Sequence, residues 1–354
     1  MRFGIDTTKL HGIARSVRRI HDEFNDEVKF DDDLNMIPVT FGAMKNVRDI
    51  ISLDGSYSVL WQSPSYPLWI VIVRTAILKR GYDRIGIKIN RIHDSFVDKL
   101  EVIDGNMMTK ECNDEIEIIS NDDHFNPRMI ESYIGHESTR QEEGLALQLS
   151  RENTGVMIFF DGALNSPNNN EKRAQFLKDT INACNDNDNI LVGISKDSGL
   201  KKINKITHDE IILNKFSSQH PGFTGFYLIE EGLETGIGTC FARLHPDATK
   251  WFRIDFMART PMSIPEIIET VACYSQVNTL PGTPYPPLCA HEIAVMVRQL
   301  KSTIEEELMK SLLNEGFTME FIVKGMTNVN GTSAWGTYHD HLDMFTKLRK
   351  KIEL

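Results

Sequence analysis

The chain has 354 residues, 41% of them hydrophobic, and a formal net charge of −11. That length suits one large domain, or one core with additions, and the apolar share is enough to bury it. The negative balance argues against a protein that coats nucleic acid by bulk electrostatics, while a local basic groove beside a carboxylate-rich site stays compatible with it.

No apolar run reaches the roughly 20 residues of a spanning helix, and Leu68–Leu78 is about half as long. The start Met1-Arg2-Phe3-Gly4-Ile5-Asp6 has no signal-peptide apolar stretch, so a cytoplasmic location with no membrane partner is expected. The cysteines at 112, 184, 240, 273 and 289 are odd in number and never at C-x-x-C spacing, which argues for buried thiols over disulfides or zinc.

In chain order, residues 1–48 form an N-terminal arm. Its basic stretch 9–21 turns acidic by Asp31-Asp32-Asp33, the pattern of an amphipathic helix and a loop outside the main sheet. Residues 49–354 form the main domain. Ile50–Trp61 reads as β structure with a polar break at Asp54-Gly55-Ser56, Leu68–Leu78 as a buried strand, and Glu115–Ile119 as a half-exposed one. Residues 128–152 have helical spacing with Ile130, Ile134, Leu145 and Leu149 inward.

Val156–Phe160 predicts a buried central strand ending at Asp161-Gly162, followed by an Asn-rich loop at 165–170, a helix over 171–184 and a second buried strand at Ile190–Lys196. Gly238–Leu244 and Trp251–Ala258 read as paired strands around Pro246-Asp247. Ser263-Ile264-Pro265-Glu266 opens a helix, and Pro286–Leu313 is one long final helix. The alternation of strands and helices predicts an α/β core.

Asp54 and Asp161 each follow an apolar strand and precede a glycine. If the strands are neighbours, the two carboxylates converge and repel unless a cation neutralises them, and hard oxygen ligands suit Mg²⁺ or Mn²⁺. Glu142 and Glu143 lie on the helix before Asp161 and point about 100° apart, so only one faces inward. His291 sits in the first turns of the last helix, where a histidine can ligate a metal or move a proton. Lys196 ends its strand and could offset phosphate charge. Each residue alone also fits an ordinary turn or surface role.

Taken together, the segments Leu53-Asp54-Gly55-Ser56, Arg140–Leu147, Phe159–Leu164, Gly193–Ser198 and Tyr285-Pro286 with Ala290-His291 resemble the NurA family of archaeal and bacterial nucleases, in order and over residues 50–300. The resemblance implies an RNase H-like core, a mixed central sheet flanked by helices with added N-terminal and C-terminal helical elements. It implies a homodimer that cuts DNA with manganese, as a single-strand endonuclease and 5′-to-3′ exonuclease, alongside a HerA-type hexameric ATPase in end resection for recombinational repair. It assigns metal binding to Asp54, Glu143 (Glu142 as the alternative), Asp161 and His291, and a catalytic tyrosine to Tyr285. The long interval from Asp54 to Glu143 implies an insertion within residues 90–127.

The expected chemistry is two-metal phosphodiester hydrolysis, with Mn²⁺ or Mg²⁺ and Lys196 offsetting phosphate charge. Two rivals stand beside it. One is a non-catalytic DNA-processing adaptor on the same fold. The other is an actin- or sugar-kinase-like ATPase, for which Gly232–Gly238 matches a phosphate loop less well than a hairpin turn.

Overall fold

The computed structural model describes residues 14–19, 34–39, 47–63, 68–83, 88–104, 127–164, 171–196, 198–203, 208–229 and 236–327. The predicted strand at 115–119, the loop at 165–170 and most of the N-terminal arm lie outside the described residues, as do the side chain of Ile130 and Cys112. Residues 14–19 are helical and exposed.

Among the described residues, nine strands form one sheet: β1 (Met36–Pro38), β2 (Ile50–Gln62), β3 (Leu68–Asp83), β4 (Lys88–Asp104), β5 (Met157–Asp161), β6 (Ile190–Ser195), β7 (Gly225–Ile229), β8 (Ile237–Arg243) and β9 (Phe252–Met257), in the order β1-β7-β8-β9-β6-β5-β2-β3-β4. After the helical residues 14–19, the described helices are α1 (Pro127–Glu152), α2 (Glu171–Asp186), α3 (Asp209–Gln219), α4 (Ile264–Cys273), α5 (Tyr285–Gln299), α6 (Lys301–Asn314) and α7 (Met319–Thr327).

β2, β3 and β4 form an antiparallel meander, α1 crosses over, and β5 and β6 then run parallel to β2. This is the mixed α/β arrangement expected of an RNase H-like core. β9, β8, β7 and β1 extend the sheet antiparallel beyond β6, so residues 36–38 of the N-terminal segment belong to its edge. The Gly238–Leu244 and Trp251–Ala258 segments pair as expected, in β8 and β9. Gly238 lies within β8, and β7 pairs antiparallel with it.

Alternation along β2 and β3 assigns the two sheet faces. Ala76 and Leu78 pack on Cys289, Ala290 and Ala294 of α5. Val71 and Val73 on the opposite face pack with Tyr57 and Val59 against Ile134 of α1. The main core lies between these layers, around Leu53, Phe159, Val192, Phe256 and Tyr274, all fully buried. Cys184, Cys240, Cys273 and Cys289 are buried free thiols, in line with expectation.

Two expectations of secondary structure are corrected. β2 runs unbroken through Asp54-Gly55-Ser56, because this stretch keeps its full ladder to Ala76, Thr75 and Arg74 on β3. The helix expected over Pro286–Leu313 is two helices, α5 and α6, divided at Leu300, and α7 follows. The structure also contains a long strand that composition did not announce, β4, whose exposed residues carry charges of both signs. Among the described residues, no helix is long and apolar enough to cross a membrane.

Candidate metal centre

Parallel pairing brings the two aspartates together. Leu53 lies opposite Phe160, so Asp54 and Asp161 occupy the next position on adjacent strands. β5 stops at Asp161, whereas β2 continues to Gln62. Groups from both faces of the sheet can meet in the gap this leaves.

The turn after Asp161 is fixed by glycine. Gly162 has φ +116°, a conformation side chains rarely adopt, and its N–H donates to the Ile194 carbonyl at 2.9 Å. Gly193 on β6 has no room for a side chain, since a Cβ there would lie 2.6 Å from the Gly162 carbonyl. The loop therefore lies flat on β6 and holds Asp161 at the end of its strand.

From the other side α5 supplies His291, whose Nδ1 is 2.7 Å from Asp54 Oδ2. Ligand atoms of Asp54, Asp161 and His291 all lie within 4.8 Å of one another. Asp54 is 6% exposed, and its carboxyl is pushed up to about 6 by burial and by the charge of Asp161, against lowering by His291 and by the Gly55 N–H. Two acids this close, one buried and the other half-buried, favour a bound cation over two free charges. Lys196 stands at the rim, half exposed, with Nζ 3.7 Å from Asp161 Oδ2.

The glutamate facing the aspartates is Glu142, where Glu143 was expected. Glu142 is buried, and its carboxyl is held well above the usual range by burial and by the charges of Asp54, Asp161 and Glu143. Gly55 makes this approach possible, because a Cβ there would collide with the Glu142 carboxylate and lie 2.6 Å from Ser138 Oγ. Glu143 turns away and pairs with Arg173 Nε at 3.1 Å. A one-residue step on a helix rotates a side chain by about 100°, so the two glutamates cannot share a role.

Tyr285 also lies apart from the acids. Its phenol is raised by a hydrogen bond with Cys289, and Arg80 is the cation near it. With His291 six residues further along α5, Tyr285 sits about 9 Å down the helix axis. The residues that sequence reasoning missed here are Ser138 and Arg173, neither of which stands in a recognisable motif.

The donor set of two carboxylates and one imidazole, with Glu142 beside it, fits a divalent cation such as Mn²⁺. No protein-family model and no curated protein matches the chain. Among solved structures, the chain is similar to the NurA nuclease from Sulfolobus solfataricus, at 17% identity and a TM-score of 0.53, over 88% of this chain and 98% of that one. Weaker likenesses are the catalytic domain of human endonuclease V (10% identity, TM-score 0.38, 76% of this chain and 85% of that one) and A. aeolicus Argonaute (11%, 0.29, 75% and 29%). The chain thus shares the fold of the Sulfolobus nuclease over nearly the whole of that protein.

Proposed function

We propose that the chain is a metal-dependent DNA nuclease of the NurA type. The observation that carries this reading is the convergence of Asp54, Asp161 and His291 within 4.8 Å, on a fold shared with a nuclease. Asp54, Asp161 and His291 would hold Mn²⁺, or Mg²⁺ in its place, with Glu142 completing the acidic set. A two-ion site held by these residues would supply Lewis-acid activation of a water and stabilisation of the leaving oxygen.

The remaining chemistry belongs to the chain's own residues. Lys196 meets a phosphate oxygen and offsets its charge. His291 holds the Asp54 carboxylate in one orientation from α5. The position of Asp54 within β2, laddered to Ala76 of β3 and directly after the last pair with β5, keeps it from drifting as the substrate enters. Glu143 and Tyr285, bonded elsewhere, act at most through the residues beside them.

The same reading carries further expectations. The substrate is DNA, as single strands and duplex ends, cut endonucleolytically and from the 5′ end. The working form is a homodimer associated with a HerA-type hexameric ATPase in end resection, in the cytoplasm, with residues 1–48 as an arm and 49–354 as the nuclease domain. End-labelled single- and double-stranded DNA incubated with Mn²⁺, Mg²⁺ or chelator tests class, metal and polarity together. Metal-dependent cleavage lost in Asp54→Ala is the expected result, and equal cleavage in chelator would overturn it. ATP hydrolysis without cleavage would favour the kinase-like rival.

A further inference from the structure

We propose that Arg173 of α2 is a positioning residue that decides which glutamate of α1 faces the aspartates. This rests on the metal-site reading above. One guanidinium touches two separate segments of the site. Its Nε is 3.1 Å from Glu143 Oε1 on α1, and its Nη2 donates to the Ala163 carbonyl at 3.4 Å. Ala163 is the second residue after Asp161. Arg173 therefore bridges the helix that carries Glu142 to the turn that carries Asp161.

The bridge matters because α1 has two adjacent buried acids and only one of them, Glu142, faces the aspartates. Glu143 and Arg173 line a small cavity together with the apolar side chains of Phe160, Leu164, Phe176 and Leu191. Burial raises the Glu143 carboxyl, while Arg173 and then Arg140 pull it back. Without Arg173, a partly buried carboxylate would face apolar walls with its closest cation gone, an arrangement that costs free energy. Glu143 would then swing toward water, and α1 would lose one of the contacts that fix its rotation, beside the packing of Ile134 and Ala146. Glu142, held at Gly55 by a close fit with no spare room, would move with it.

The test is Mn²⁺ affinity, measured by calorimetry or electron paramagnetic resonance without DNA. Arg173→Ala should bind Mn²⁺ roughly 10- to 100-fold more weakly, the usual effect of losing a group that orients a ligand. Arg173→Lys should recover part of this, since an ammonium can meet Glu143 but has no second fork for Ala163. Glu143→Gln, which keeps shape but removes the ion pair, should weaken binding in the same direction and decides the matter if Arg173→Ala fails to fold. In a Glu142→Ala background, Arg173→Ala should cause no further loss. Unchanged affinity in folded Arg173→Ala and Glu143→Gln, or a full additional loss in the Glu142→Ala background, overturns the role of Arg173 alone. Wild-type protein that binds no Mn²⁺ overturns the metal-site reading beneath it.

Discussion

His291 Nδ1 and Asp54 Oδ2 lie 2.7 Å apart, although 237 residues separate them in the chain. The contact ties α5 to the middle of β2, at the point where β5 gives out. It also partly offsets the burial and the Asp161 charge that push the Asp54 carboxyl up to about 6.

That shift makes Asp54 a cost to the metal-free fold. The folded carboxyl holds its proton more tightly than the unfolded one, whose ordinary value is 3.8. Its contribution to stability is therefore fully present below about pH 4 and lost as pH rises through about 6. The full loss is about 3 kcal/mol. Asp54→Asn should remove this dependence. In chelator, its melting temperature should rise relative to wild type as pH goes from 4 to 7, and its DNA cleavage should be undetectable. Thermal melts across that range check the sign, and a constant difference between the two proteins would refute it.

Glu142 and Glu143 should separate in function. Glu142→Gln removes a carboxylate that the aspartates already strain, so the metal-free protein should be stabilised while Mn²⁺-dependent cleavage is lost. Glu143→Gln breaks a bond to Arg173 and should leave reduced but measurable cleavage. Rates at saturating Mn²⁺, with chelator melts beside them, distinguish the two. Equal loss in both would mean that rotation of α1 does not select between them.

Much of this arrangement was legible in sequence, for identifiable reasons. Asp161 ends an apolar run of strand length, and Gly162 marks the turn. The segments of β3, β5 and β6 carry the unbroken apolar runs of buried strands. Asp54-Gly55-Ser56 misleads because a glycine in a strand signals a turn locally, whereas here it admits Glu142 from a helix some 90 residues on. β4 hides because its apolar residues Phe96, Leu100 and Val102 stay exposed at the sheet edge and are interrupted by acids, with Asp94 and Asp98 pairing with Arg80 and Arg74 of β3. The choice of Glu142 over Glu143 depends on Arg173, which reaches α1 only through the fold. The division of α5 from α6 at Leu300 has neither glycine nor proline to announce it.

Lys196 should matter for rate and little for stability. It is half exposed, and at 3.7 Å its pairing with Asp161 belongs to a class of surface contact that contributes at most about 1 kcal/mol. Lys196→Ala should leave the melting temperature within a degree or two of wild type, while cleavage falls on the order of 100-fold, as for loss of one charge-stabilising donor. Mn²⁺ affinity should hold or rise slightly, because a cation has left the neighbourhood of Asp161. Lys196→Arg should recover part of the rate. A cleavage rate unchanged in Lys196→Ala would remove it from the proposed chemistry.

Gly55→Ala tests the closest approach in the site. In an ordinary strand this change is mildly favourable, since alanine loses less conformational freedom on folding. Here the new methyl would collide with the Glu142 carboxylate and press on Ser138 Oγ. Forcing a methyl into a filled space costs about 1–3 kcal/mol, so urea midpoints in chelator should fall rather than rise. Mn²⁺ binding should weaken as well, because the displaced group is the glutamate that completes the acidic set. Truncating the obstruction should undo the damage: Gly55→Ala with Glu142→Ala and Ser138→Ala should lose less stability than the single changes added together. Additive losses would mean that the methyl is accommodated elsewhere, and that Gly55 does not set how near α1 comes to Asp54.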